Sequence, residues 1–203
     1  MLYTRKGDKG TTKLFKTPKG ERISKSSQIF EALGSLDELN SFLGLCKVLS
    51  SQNGFKVEKA KSTEAIAQSG EAGSRENITF EEIVHIIQKN LFIIQAELAG
   101  SEMTIQEIKV KEMESIIDAI EEELPAIKTF FIPGGTELAA FFDVARTFAR
   151  RTERRVVSVV EGGKVKIGEH SLIYVNRLSS LLYALARLSN HKAGITEEPP
   201  DYK

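Results

Sequence analysis

The feature that most restricts the fold is the spacing of apolar residues from residue 27 onwards, where they recur at steps of three and four. Such spacing places apolar side chains on one face of an α-helix, because the helix has about 3.6 residues per turn. The pattern predicts five helices, several of which stop at glycine or proline. They cover roughly residues 27–49, 79–100, 108–123, 137–161 and 169–190.

Strand patterns are nearly absent, and most connections between the predicted helices are short. Helices joined by short connections pack antiparallel, so we predict an all-α, antiparallel five-helix bundle. The 203 residues suffice for one domain with one core, residues 1–203. Residues 51–78 are the exception: they are polar and small, without a sustained apolar stripe, and are predicted to be a flexible, solvated insertion.

Composition excludes several classes of protein. Lysine plus arginine equals aspartate plus glutamate, 28 each, whereas a general nucleic-acid binder carries a basic excess, so no nucleic-acid partner is expected. No apolar run is long enough for a membrane span, and no signal peptide is visible, which predicts a cytoplasmic protein. The single cysteine, Cys46, excludes an internal disulfide and fits a reducing compartment. The three histidines are too scattered to suggest a metal cage.

The fourth predicted helix carries the densest charge, in the segment ARTFARRTERR. At about 100° per residue, one narrow stripe of this helix holds Arg146, Arg150 and Glu153, with Arg154 at its edge. Arg151 and Arg155 point elsewhere. Two interpretations remain open for the stripe. It is either a solvated face with local salt bridges, or a row of guanidinium groups whose planar forks suit a phosphate.

The N-terminal stretch TRKGDKGTT, residues 4–12, combines glycines, hydroxyls and cations. It is not a Walker loop, yet its glycines allow a turn whose backbone amides converge on an anion. A disordered terminus is the alternative. In the first helix, Asp37 lies within an apolar pattern and needs a cationic partner, for which the arginine stripe is the obvious source.

Two further features carry open interpretations. The segment TFFIPGGT, residues 129–136, is either a core plug before a helix or an aromatic wall for a flat ligand. In the fifth helix, Asn176, Ser180, Tyr183 and Arg187 share one stripe. Asparagine and serine in such a stripe are more often buried hydrogen-bond partners than ligand contacts.

Four segments together resemble the ATP:cob(I)alamin adenosyltransferases of the propanediol-utilisation type. They are TRKGDKGTT, FEALGSLDELNSFLG, FFIPGGTELAAFFDVARTFARRTERRVV and VNRLSSLLYALAR, in the family's order. The resemblance covers nearly the whole chain apart from residues 51–78. It implies a ferritin-like five-helix bundle that forms a homotrimer with active sites at the subunit interfaces. It also implies transfer of the 5′-deoxyadenosyl group of ATP to cob(I)alamin, giving adenosylcobalamin and inorganic triphosphate.

The resemblance further implies roles for particular residues. An N-terminal loop, residues 1–26, would order around the triphosphate, with Mg²⁺ bound mainly through the ATP phosphates. The ATP contacts would be Thr4, Arg5, Lys6, Gly7, Thr12, Lys25, Arg150, Arg151, Glu153, Arg154 and Asn176. Asp37 and Arg146 match a salt bridge that shapes the active site, and with Arg150 they form the expected catalytic set. Phe130 matches the aromatic residue that occupies the lower face of the corrin and keeps the dimethylbenzimidazole tail off cobalt.

The chain departs from the family pattern at two places. The family commonly has an aspartate at the position of Ser180, and the 51–78 insertion is longer than usual. The insertion is either a disordered embellishment or a docking segment for a corrinoid reductase or for the mutase or dehydratase that receives the product. Two other functions stay open: a carrier of cobalamin or nucleotide without turnover, and a helical protein whose arginines bind acidic partners.

Overall fold

Five α-helices form the body of the protein. The computed structural model describes residues 3–60, 75–163 and 165–202. The helices are α1 (Gln28–Asn53), α2 (Phe80–Leu98), α3 (Glu107–Glu123), α4 (Glu137–Glu161) and α5 (Glu169–Lys192). Helix α4 packs against α5 and α1, α2 packs against α1, and α3 packs against α5. The predicted all-α five-helix bundle is confirmed.

Local sequence signals explain where several helices begin and end. At the start of α2, the Thr79 hydroxyl accepts from the Glu82 amide and the Glu82 carboxylate accepts from the Thr79 amide, which together form a capping box. Helix α4 begins where the Thr136 hydroxyl accepts from the Ala139 amide at 3.1 Å. Helix α1 ends at Gly54, whose φ of 64° is left-handed and suits glycine.

The core lies where the apolar faces of α1, α2, α4 and α5 meet. Leu39 and Leu43 of α1, Phe142 of α4 and Leu182 of α5 are fully buried. Burial of one such side chain contributes about 1.5–3 kcal/mol. In the described parts of the chain, no helix is long and apolar enough to cross a membrane.

Cys46 lies in this core, fully buried on α1. Burial raises the pKa of its thiol to about 12, so the thiol stays protonated near neutral pH. We expect a thiol reagent to label Cys46 only after the chain unfolds. Mass spectrometry of samples labelled with and without denaturant measures this, and rapid labelling of the native protein at pH 7 would contradict it.

Two short antiparallel hairpins accompany the helices. The first pairs β1 (Thr11–Thr12) with β2 (Ile23–Ser24), and the second pairs β3 (Lys56–Ala60) with β4 (Arg75–Thr79). The expectation that strands are nearly absent is therefore wrong for these segments.

The prediction that residues 51–78 form a flexible insertion needs correction at both ends. Residues 51–53 complete α1, and the second hairpin occupies the flanks. Val57 is fully buried, and the Arg75 guanidinium lies 3.0 Å from the Glu122 carboxylate of α3. The other inward position of β3 is Lys59, so a charged side chain hides the alternation that marks a strand. Residues 61–74, the centre of the insertion, lie outside the described residues.

Candidate functional site

A cleft of about 680 Å³ lies between α4, α5 and the loop that follows α3. Its walls are formed by Ile127, Thr129, Phe130, Phe131, Arg146, Arg150, Ser179, Ser180 and Tyr183. The structure thus brings together residues from three separate sequence features. They are Arg146 and Arg150 of the stripe, Phe130 and Phe131 (the aromatic pair), and Ser180. The TFFIPGGT segment forms a cleft wall, which favours the second of its two interpretations.

The arginines of α4 divide into two groups by their partners. On one side of the helix, Arg151 donates to the Glu38 carboxylate of α1 at 2.6 Å, and Arg155 pairs with Glu31 of α1. These two residues join α4 to α1. In the described part of the chain, Arg150 and Arg154 make no hydrogen bond and no ion pair, and both are exposed.

Two unpaired guanidinium groups at positions i and i+4 of a helix repel each other. Their arrangement nevertheless suits an anion that carries several negative charges, such as a polyphosphate. The salt bridges to α1 belong to Arg151 and Arg155, which lie outside the stripe, and the phosphate interpretation of the stripe stays a prediction. The expected ATP contact Arg151 belongs to the paired group and lies on the side that faces α1.

Arg146 lies at the edge of the cleft. Its Nε donates to the Asp143 carboxylate at 3.1 Å, and its guanidinium lies 5.9 Å from the centre of the Tyr183 ring. Burial raises the pKa of Tyr183, so this phenol is neutral at physiological pH.

The expected salt bridge between Asp37 and Arg146 does not form within one chain. Asp37 is exposed on α1 and has no ion pair among the described residues. Asp143 lies one turn before Arg146 on the same helix, and this neighbouring carboxylate supplies the partner instead.

Glu153 and Asn176 extend the surface from α4 to α5. The Asn176 amide donates to the Glu153 carboxylate at 2.6 Å, and Arg177 donates to the Asn176 carbonyl at 3.0 Å. Four of the expected ATP contacts therefore share one exposed surface across the two helices: Arg150, Glu153, Arg154 and Asn176. We call this surface the arginine face.

Arg22 organises the N-terminal loop, a role that sequence reasoning did not assign to it. Its guanidinium donates to the Lys6 carbonyl and the Thr11 carbonyl, both at 2.6 Å, and to the Thr11 hydroxyl at 2.7 Å. Gly7 lies against Lys25: a Cβ atom at Gly7 would be 3.0 Å from the Lys25 Nζ. Residues 6–11 of the loop are therefore held against residues 22–25.

Within one chain the N-terminal loop is not bonded to the arginine face. No hydrogen bond or ion pair joins residues 3–26 to Arg150, Glu153, Arg154 or Asn176 in the part of the chain that the structure describes. Lys16, within the loop, lies instead beside the end of α2, against Gly100. Among the described residues, no hydrogen bond or ion pair therefore links the expected contacts on α4 and α5 with Thr4, Arg5, Lys6, Gly7, Thr12 and Lys25.

Asn190, near the end of α5, fixes the turn that follows the aromatic pair. Its amide nitrogen donates to the Gly134 carbonyl at 2.8 Å, and its amide oxygen accepts from the Thr136 backbone at 2.9 Å. Sequence reasoning missed Asn190 because its partners lie more than 50 positions away. The adjacent glycines Gly134 and Gly135 were the sequence signal that could have indicated this turn.

Gly135→Ala is expected to destabilise the fold. Gly135 has a φ of 100°, and an added Cβ would lie 2.3 Å from the Asn190 amide oxygen. Strained backbone of this kind costs about 1–3 kcal/mol, and the clash adds to it. Gly134→Ala is the matched control, because Gly134 has a φ of 133° and open space around it. Urea unfolding should show a larger loss for Gly135→Ala, and equal losses would contradict the clash with Asn190.

The fold and the cleft define a helical bundle that presents unpaired arginines next to an aromatic wall. Such a surface suits a ligand with phosphate groups beside a large flat ligand. The sequence profile of the family described as cobalamin adenosyltransferase matches residues 2–189. The chain belongs to this family.

Individual relatives agree with this assignment. The chain is 37% identical to the corrinoid adenosyltransferase of Bacillus subtilis (strain 168), a match that covers 96% of this chain and 89% of the relative. It is 35% identical to the corrinoid adenosyltransferase PduO of Citrobacter freundii, covering 95% of this chain and 50% of that protein. Among solved structures, it superposes with a TM-score of 0.79 on a variant PduO-type ATP:corrinoid adenosyltransferase from Lactobacillus reuteri, complexed with cobalamin and ATP. That match has 27% identity and covers 100% of this chain and 97% of the other.

Proposed function

We propose that the chain transfers the 5′-deoxyadenosyl group of ATP to cob(I)alamin, giving adenosylcobalamin and inorganic triphosphate. The observation that carries the proposal is the position of Arg150 on the wall of the cleft that Phe130 also lines, without an ion-pair partner among the described residues. Relatives named corrinoid adenosyltransferase and a structural neighbour complexed with cobalamin and ATP support it.

The reaction requires little acid–base chemistry from the protein. Cobalt(I) of the corrinoid substrate attacks C5′ of ATP, the C5′–O bond breaks, and triphosphate leaves with the electron pair. Negative charge grows on the leaving group, and Arg150 and Arg154 can stabilise it because no carboxylate of the described residues neutralises them. The corrinoid supplies the nucleophile, so the protein's part is to bind, orient and stabilise charge.

Phe130 would cover the lower face of the corrin. Its side chain is 79% exposed on the cleft wall, so the ring is free to meet a ligand. An apolar ring at this face keeps the dimethylbenzimidazole tail and water off cobalt. Four-coordinate cobalt(II) is easier to reduce to the cobalt(I) nucleophile, so Phe130 would assist the step that precedes transfer.

We assign Mg²⁺ to the ATP phosphates. The described residues include no group of three or more histidine, cysteine, aspartate or glutamate side chains that could hold a metal ion. Mg²⁺ commonly binds through substrate phosphates with few protein ligands, so this arrangement fits the ion.

The active site would form between subunits of a homotrimer. In one chain, no hydrogen bond or ion pair joins the described part of the N-terminal loop, residues 3–26, to the arginine face, and a neighbouring subunit could bring its loop to the face. A corrinoid reductase would supply electrons, and an adenosylcobalamin-dependent mutase or dehydratase would take the product. Residues 51–78 are a candidate docking segment for either partner. A reducing compartment such as the cytoplasm suits the free Cys46 and the strongly reducing substrate.

An anaerobic assay tests the proposed function. Purified protein, ATP with Mg²⁺ and chemically reduced cob(I)alamin are mixed, and the absorbance change to adenosylcobalamin is followed. Saturable turnover is expected. Binding of both ligands without turnover would instead support the carrier, and binding of neither would support an interaction protein.

A further inference from the structure

The loop that carries Phe130 is held almost entirely by the carboxyl-terminal part of the chain. Residues 125–135 contain no helix or strand. Within the described ranges, their hydrogen bonds to other segments all end on Arg187, Asn190 and Glu198. The Phe130 ring itself is exposed, so the position of its backbone decides where the ring lies.

Arg187 of α5 makes three contacts at the base of this loop. Its Nη2 donates to the Pro125 carbonyl at 3.3 Å, and its guanidinium lies 5.0 Å from the centre of the Phe131 ring. Its Nε donates to the Glu197 carboxylate at 2.8 Å. The side chains of Arg187 and Glu197 are only 6% and 16% exposed. A buried guanidinium needs a counter-charge, so Glu197 keeps Arg187 in place under Phe131.

The segment that provides Glu197 continues along the same loop. The Ile132 backbone amide donates to the Glu198 carbonyl at 2.8 Å. Residues 195–198 therefore run beside the loop and hold it through both a side chain and the backbone. These residues lie beyond the stretch, 2–189, that the family profile matches.

We propose that Arg187 and Glu197 are positioning residues, which hold the Phe130 loop at the distance that closes the lower face of the corrinoid. The inference rests on the proposed function and adds a determinant that acts through Phe130. A shift of about 1 Å in a positioned group can cost about 100-fold in rate. Loss of the ion pair should therefore slow the reduction of cobalt(II) to cobalt(I), which is the step that depends on Phe130. ATP binding should stay unchanged.

The test compares Glu197→Gln with Glu198→Gln. Glu198 is exposed and contributes only its backbone carbonyl, so the second variant is a matched control. With cob(II)alamin and a reductant, we expect Glu197→Gln to lower transfer by about 10-fold or more, with an unchanged KM for ATP. Glu198→Gln should match the original protein.

A second comparison separates positioning from general damage. In a Phe130→Ala background, Glu197→Gln should lower the residual rate by less than about 2-fold, because both changes affect the same interaction. An equal loss in both backgrounds, or a Glu197→Gln variant that matches Glu198→Gln, would overturn the inference. If Glu197→Gln does not fold by circular dichroism, Arg187→Lys replaces it, with the same expectations. Absence of turnover in the unsubstituted protein would instead reject the proposed function.

Discussion

Arg150→Ala is expected to lower adenosyl transfer by about 100-fold or more. The removed guanidinium is one of two on the arginine face that have no protein partner among the described residues, so its charge is available to the leaving triphosphate. Removal of one preorganised donor to a developing anion costs about 10²–10³ in kcat. Initial rates with chemically supplied cob(I)alamin measure the effect directly. Helix content should be unchanged, because Arg150 makes no hydrogen bond or ion pair in the described chain.

Arg155→Ala is the matched control for Arg150→Ala. Arg155 lies on the same helix but pairs with Glu31 of α1, away from the cleft. Its loss should lower stability by less than about 1 kcal/mol, the usual value of an exposed ion pair, and leave the rate of transfer unchanged. Normal activity in Arg150→Ala, or equal loss in the two variants, would contradict the assignment of the arginine face to the triphosphate.

Phe130→Ala is expected to slow the reaction from cob(II)alamin by about 100-fold, which corresponds to about 2.7 kcal/mol of barrier. The loss should be smaller, below about 10-fold, when cob(I)alamin is supplied chemically. The reason is that the ring would act on the coordination of cobalt before reduction, and the transfer step needs it less. Parallel assays with the two oxidation states measure this difference.

Ile132→Ala provides the control for Phe130→Ala. Ile132 lies in the same loop and is 52% exposed, but it does not line the cleft. Its backbone amide, which holds the loop to Glu198, is unaffected by the substitution. Both rates should remain unchanged. Equal losses of Phe130→Ala in the two assays would argue against a role at the lower face of the corrin.

The helices could be predicted from the sequence because their apolar periodicity is long and regular. Leu39 and Leu43 repeat at four-residue spacing, and both are buried. The capping box at Thr79 is predictable for a different reason, because it depends on residues only three positions apart. The hairpin strand at Lys56–Ala60 was missed because a five-residue strand with a lysine on its inward face has little periodicity to detect.

The site was predictable only in part. Resemblance marked Arg150 and Phe130, which the structure brings to one cleft. Spacing placed Arg150 and Arg151 on different sides of the helix, but it could not identify the α1 carboxylate that pairs with Arg151. The ion pair between Arg187 and Glu197 could not be predicted from the sequence, for a different reason. Their partnership depends on how the carboxyl-terminal segment folds back on the loop, which no local pattern encodes.

The proposed function requires that cobalt attacks C5′ of ATP and expels intact triphosphate. The most direct measurement is the stoichiometry of products: adenosylcobalamin by absorbance and phosphorus-containing products by ³¹P nuclear magnetic resonance, in the same anaerobic reaction. One inorganic triphosphate for each adenosylcobalamin is the predicted result. Release of ADP and phosphate without adenosylcobalamin, or no product while both ligands are bound, would contradict the account.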